Sequence, residues 1–275
     1  MTDPSKTLYY NITIQCSLDG FCFVVHHQEE NKIIDIEIYQ SSGSEEASVG
    51  LEALEKALYN KGVLGKSFHS VRYLATDPFH TLVPAELFNE QDCKAYLQFN
   101  HLLPQGYKVF HETVKKLDAV NIYATPEKQY EHLHDLWPDL TVTHQSTVFL
   151  NSILEEDPYE NNVNAYIHVD RRSFDLAIIK DKQLIFFNNF RFHTKEDFIY
   201  YLMFTLEQQQ LANQDIPVYF SGLISNHSEI IRLCERYIKR IRFLRPDGSV
   251  NVDLSQNSTP FQYYYIPYKN LSCES

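Results

Sequence analysis

The chain has 275 residues, 44% hydrophobic and 14% aromatic, enough for one large core or two of ordinary size, so global disorder is excluded. Its formal net charge of −12 has the wrong sign for a general nucleic-acid binder, which must neutralise phosphates with Lys and Arg. No apolar run approaches the roughly 20 residues that span a bilayer, and Met1-Thr2-Asp3-Pro4-Ser5-Lys6-Thr7 lacks the apolar stretch of a signal peptide. Cys16, Cys22, Cys93, Cys234 and Cys273 are scattered, with neither a Cys-x-x-Cys pair nor metal-ligand spacing. The expectation is a cytosolic chain with reduced thiols and no transmembrane segment.

Residues 8–40 read as three strands joined by tight turns. Ile33-Ile34-Asp35-Ile36-Glu37-Ile38-Tyr39 alternates apolar and acidic residues, which marks a strand with one wet face. Ser41-Ser42-Gly43-Ser44 breaks it. Glu45-Glu46 then open a helix over 45–60, whose Val49, Leu51, Leu54 and Leu58 follow a helical period. A strand is predicted at 70–76 and a short one at Thr81-Leu82-Val83-Pro84, where proline points to a sheet edge. A helix over 86–99, strands over 108–115 and 119–124, a helix from Pro126 to about Trp137 and a strand over 140–144 follow. Residues 146–154 read as a helix, and Glu155-Glu156-Asp157-Pro158 with Asn161-Asn162 as a polar connector. Three strands over 163–192, a helix over 195–211, a strand over 217–221, a helix over 227–241 and a closing strand at Phe261-Gln262-Tyr263-Tyr264-Tyr265-Ile266 complete the reading.

The two meanders align with each other. Ile14-Gln15-Cys16-Ser17-Leu18-Asp19-Gly20-Phe21-Cys22-Phe23-Val24-Val25 matches Ile167-His168-Val169-Asp170-Arg171-Arg172-Ser173-Phe174-Asp175-Leu176-Ala177-Ile178, and a helix follows each. This predicts an α/β chain of two duplicated lobes. The first lobe is expected over 1–76 plus 146–160, a small α+β module inserted over 77–145, and the second lobe over 161–275.

This arrangement resembles the actin-like ATPase (ribonuclease H-like) fold, and is similar to the bacterial cell-division actin homologue and the pilus-assembly platform protein. Thr81-Leu82-Val83-Pro84-Ala85-Glu86-Leu87-Phe88, Asp118-Ala119-Val120-Asn121-Ile122-Tyr123-Ala124 and residues 146–154 resemble a bacterial family of unknown function that has this fold. In active members of the superfamily the first hairpin of each lobe carries Asp-x-Gly. Its glycine lets backbone amides approach phosphate, and its acid organises magnesium through water. The resemblance therefore implies ATP and magnesium as cofactors, held between the lobes.

The residues depart from that pattern. In the first hairpin Ser17-Leu18-Asp19 occupies the motif's register, so serine replaces the acid and Asp19 brings negative charge to an anion-binding turn. Shifting by one makes Gly20 the turn glycine, but Leu18 then stands in the acid's place. In the second hairpin Asp170 keeps the acid, and Arg171, Arg172 and Ser173 follow with no glycine. Paired arginines hold anions by charge-assisted bonds, not by backbone amides. The adenosine-binding turn is matched by Ser221-Gly222-Leu223, with one glycine of the usual pair. Altered phosphate-binding loops predict no catalytic residue, no resident cofactor and a non-catalytic scaffold or interaction protein. The alternative is an ATP-binding protein or slow ATPase using these residues in a non-standard cleft.

Other signals are weaker. Asn60-Lys61-Gly62-Val63-Leu64-Gly65-Lys66-Ser67 nearly matches a phosphate-binding P-loop, but it leaves a helix, so Gly62 reads as a helix cap. The twelve histidines show no metal-ligand spacing. Residues 230–245 reverse the charge of the chain, with Arg232, Arg236, Lys239 and Arg240 prominent, and read as a basic amphipathic helix suited to an acidic protein partner.

Overall fold

The computed structural model describes residues 9–17, 20–40, 47–63, 68–157, 163–245, 247–248, 250–252 and 260–272. The chain divides into two compact units, one of Met1–Val148, Asp247–Ser258 and Pro267–Ser275, the other of Phe149–Pro246 and Thr259–Ile266.

The first unit opens with β1 (Tyr10–Ser17), β2 (Gly20–His27) and β3 (Lys32–Gln40), a meander followed by α1 (Ala47–Asn60) and β4 (Ser70–Ala75). Phe21 to Val25 are all buried, so this strand reads as a continuous apolar run because both of its faces are covered. Ile12, Ile14, Phe21, Phe23 and Val25 share one face, where Leu54 and Leu58 of α1 pack. Gly62 closes α1 at φ +62, with Val63 N donating to Leu58 O at 2.8 Å. The near P-loop is thus a helix C-terminus up to Val63, and Leu64 to Ser67 lie outside the described residues.

A second sheet is inserted next. It comprises β5 (His80–Pro84), β6 (Tyr107–Val114) and β7 (Ala119–Pro126), in the order β5-β7-β6. Pro84 ends an edge strand, where its missing donor costs nothing. The helix expected over 86–99 is half that length. A 3-10 turn spans Ala85–Leu87, a second spans Glu90–Asp92, and α2 covers only Cys93–Asn100. The Asn89 side chain accepts from Gln91 N at 3.2 Å and donates to Asp92 Oδ2 at 2.8 Å, a local turn that competes with the helix.

After α3 (Glu127–Leu136), β8 (Thr141–His144) pairs parallel to β4, so the chain returns to the large sheet. α4 (Gln145–Glu156) follows. The short β14 (Asn251–Val252) pairs with β3, giving the order β14-β3-β2-β1-β4-β8.

The second unit holds β9 (Val163–Val169), β10 (Ser173–Lys180), β11 (Gln183–Arg191), α5 (Lys195–Gln208), β12 (Pro217–Gly222), α6 (Glu229–Cys234) and β13 (Arg240–Phe243). Its sheet runs β11-β10-β9-β12-β13. Thr194 caps α5 in a capping box with Asp197. The core is aromatic, with Phe174 and Phe198 at 4.3 Å between ring centroids and Phe192, Phe220 and Phe190 around them.

Two expectations fail here. The basic segment is no continuous helix: α6 ends at Cys234, turns follow, and Ile241 and Phe243 pack on the core while Arg242 is exposed, the period of a strand. The aromatic C-terminus forms no strand. Phe261–Tyr264 is a 3-10 turn and α7 (Tyr265–Ser272) follows, with Tyr264, Tyr265 and Tyr268 buried at helical spacing.

Candidate functional site

In the second unit β9 and β10 form a tight hairpin closed by Asp170 N donating to Ser173 O at 2.8 Å. Arg171 and Arg172 stand exposed at its tip, while Asp170 and Ser173 are half-buried. None of these four residues has a positive φ. The turn therefore lacks the alternating backbone that aims successive amides at one anion. Gly222 ends the neighbouring β12 beside Val169, and Leu223 N donates to Val169 O at 2.7 Å. Gly222 lies at φ +88, and a Cβ there would sit 2.1 Å from Val169 O. Close strand packing therefore demands glycine at this position. The fold thus gathers Asp170, Arg171, Arg172, Ser173 and Gly222 at the carboxyl ends of β9 and β12, where open α/β sheets bind ligands.

A buried polar layer lies beneath them. Asp175 faces His168 across the hairpin. His168 Nδ1 lies 3.0 Å from Ser221 Oγ, and Asn189 Nδ2 donates to Asp175 Oδ1 at 2.8 Å. Burial pushes the Asp175 carboxyl up to about 7, and the charge of Asp170 adds to the rise. Burial pushes His168 down to about 3. Near neutrality His168 is uncharged, so no ion pair forms between it and Asp175.

The first hairpin pairs in the same register. Ser17 stands opposite Gly20, as Asp170 stands opposite Ser173. Gly20 is buried at φ +149, a conformation that side-chain-bearing residues rarely adopt. The Ser17 side chain and all of Leu18 and Asp19 lie outside the described residues. Thr76 Oγ1 donates to Cys16 O at 3.0 Å beside this turn.

Behind it runs a buried relay. Gln129 Nε2 donates to Tyr73 OH at 2.9 Å, and Thr125 Oγ1 donates to Asp77 Oδ2 at 3.0 Å. Tyr73 OH must then be the donor in its 2.7 Å contact with Thr125 Oγ1. Burial pushes Asp77 up to about 6. His144 Nε2 lies 2.9 Å from the Asp77 carbonyl, and its Nδ1 accepts from Ser146 N at 3.2 Å. That pattern requires a neutral imidazole, and burial pushes its pKa down to about 4. Asn121 Nδ2 donates to Ser146 Oγ and Thr147 Oγ1, and Glu112 accepts from Thr143 Oγ1 at 2.6 Å and from His144 N at 2.7 Å. These bonds seat the inserted sheet on the β8–α4 corner.

The predicted basic residues spread along one outer strip of the second unit. Arg232 is exposed on α6, Arg236 and Lys239 are exposed in the turns after it, and Arg240 begins β13 with Nη1 donating to Asp215 O at 3.4 Å. Among the described residues no group of three or more His, Cys, Asp or Glu is placed to hold a metal ion.

A family described as "Protein of unknown function (DUF3822)" matches residues 1–241. The chain belongs to the DUF3822 family. No curated protein matches it in sequence. Among solved structures it is similar to a Bacteroides thetaiotaomicron protein with an actin-like ATPase fold and unknown function. That match has 20% identity, a TM-score of 0.81 and complete coverage of both chains. It is also similar to a chain of the PilM–PilN type IV pilus biogenesis complex, at 10% identity and a TM-score of 0.60, covering 94% of this chain and 96% of that one. This DUF3822 chain therefore has the actin-like ATPase fold that its sequence resembles. Among its described residues no helix is long and apolar enough to cross a membrane.

Sequence reasoning missed the layer of His168, Asp175 and Ser221. The available signal was Asp175 itself, an acid between Phe174 and Leu176 on an otherwise apolar strand. It also missed Asp77, which no local pattern distinguishes from a loop acid.

Proposed function

We propose that this DUF3822 protein is a cytosolic, non-catalytic scaffold or protein-interaction module, built by duplication on an actin-like fold whose phosphate-binding turns have been altered. The observation that carries this reading is the turn from Asp170 to Ser173. Its tip presents two exposed arginines and no residue of positive φ, where an anion-binding turn needs free amides. The packing demand on Gly222 removes nucleotide contact as the necessary reason for its glycine. The matching order and hairpin register of the two sheets support the duplication. The likeness to a chain of a PilM–PilN complex supports an assembly role.

A second reading is favoured by one observation. Asp170 and Gly222, the acid and glycine that remain of the superfamily set, lie at the same end of the sheet with Arg171 and Arg172 exposed beside them. That arrangement supports an ATP-binding protein or slow ATPase that uses these residues with Ser173. Calorimetric titration of the full chain with ATP and magnesium separates the readings. The scaffold reading expects no saturable heat up to millimolar nucleotide. Micromolar binding that weakens at least tenfold in Asp170→Ala overturns it, since an acid organising the metal is worth well over 1.4 kcal/mol.

A further inference from the structure

The outer face of the second unit carries a groove between α5 and the segment from α6 to Lys239. A cavity of about 370 Å³ at one end is lined by Lys195, Glu196, Glu229, Arg232, Leu233 and Arg236. A second, of about 270 Å³, lies at the other end, with Met203, Leu206, Leu211, Tyr237 and Ile238 among its walls. Lys195 Nζ is held by Glu229 Oε2 at 2.7 Å, which neutralises both. Arg232 and Arg236 are exposed and have no ion-pair partner among the described residues, although the chain as a whole carries −12. Lys239 lines the second cavity together with Asp215, so the unpaired positive charge is concentrated at Arg232 and Arg236. Tyr237 is 58% exposed at the mouth of that cavity, so a large aromatic surface there lacks cover.

From this pairing of a cavity bearing Arg232 and Arg236 with one partly walled by Met203, Leu206 and Tyr237, we propose that the α5–α6 groove binds an acidic amphipathic segment of a partner protein. Carboxylates of the segment meet Arg232 and Arg236, and one bulky apolar side chain enters the cavity beside Met203 and Tyr237. Charge complementarity selects this occupant, since a basic strip on an acidic protein attracts acidic chains and repels basic ones. The spacing is set by α5. The cavities centre near residues 195–196 and 203–206 of one helix, about 13 Å apart at 1.5 Å per residue. An extended segment covers that distance in about four residues. The inference rests on the interaction-module reading and names the chemistry of its partner.

Selection of random twelve-residue peptides on the immobilised full chain tests it. The expected result is enrichment of paired Asp or Glu about four residues from a Leu, Phe or Trp. Binding of an enriched peptide, followed by fluorescence anisotropy, should weaken at least tenfold in the Arg232→Glu/Arg236→Glu variant and fall as salt rises. Both substitutions are on the surface, and circular dichroism checks that the variant folds. Absence of enrichment, enriched peptides without acids, or unchanged binding to the double variant each overturns the proposal. A shift from dimer to monomer in that variant by sedimentation also overturns it, because the occupant would then be a second copy. The nucleotide titration fails independently: saturable MgATP binding removes the scaffold reading while leaving the peptide result intact.

Discussion

Apart from β14 the two large sheets share one strand order, and they differ in how far their buried polar groups extend. The second unit buries a cluster of phenylalanines around Phe174 and Phe198 and a short polar layer of His168, Asp175 and Ser221. The first unit also has an apolar core, crossed by a longer polar seam through Tyr73, Asp77, Asn121, Thr125, Gln129 and His144 that reaches its inserted sheet. The difference follows the inserted sheet. Apolar packing tolerates small shifts, whereas a chain of donors and acceptors is satisfied in one geometry only. The seam thus fixes how an added three-stranded module sits on its own unit, a task the second unit does not face.

The comparison can be broken most severely at Gly222. Gly222→Ala forces a side chain at φ +88 into the backbone of β9, and a loss on the order of 3–5 kcal/mol is expected in urea unfolding of the full chain. Asp175 offers the next largest effect, with opposite sign. Its carboxyl rises from 3.8 to about 7 on folding, so the folded chain keeps a proton over a range where the unfolded chain has lost it. The stability this gives is complete below about pH 4 and is lost as pH rises through about 7. Asp175→Asn, which still accepts from Asn189, should stabilise the chain at pH 8 by up to about 4 kcal/mol and change little at pH 4. A pH series of thermal melts on both proteins reads this directly. Tyr73→Phe is the smallest. It removes the hydroxyl that links Gln129 to Thr125, and about 1–3 kcal/mol should be lost. If that substitution is neutral, the seam contributes less to specificity than its bonding suggests.

Most strands were legible because each run is bounded by turn residues and keeps a period of two or a continuous apolar stretch. The alignment of the two meanders also gave the hairpin register: Ser17 opposite Gly20, Asp170 opposite Ser173. Local chemistry was misread in three places. Asn89 and Asp92 divert a helix that the apolar period alone would start earlier. Tyr264, Tyr265 and Tyr268 suit a strand by composition but bury at helical spacing. The arginines of 230–245 hide the switch from helix to strand after Cys234. The buried layers were illegible for another reason. His168 and Ser221 are 53 residues apart, and Asp77 and Thr125 are 48 apart. Only the pairing of distant strands makes them neighbours.

One consequence concerns synthesis. β14 pairs with β3, the Tyr268 hydroxyl lies 2.7 Å from Asp247 Oδ1, and Lys269 and Asn270 bond to Asp247 and Arg72. The first unit is thus completed by residues that a ribosome delivers only after the whole of 149–246 has emerged. A nascent chain from which only the residues up to 246 have emerged would hold its earlier unit unfinished while the later one already had all five strands of its sheet. Such a protein becomes whole from its tail backwards.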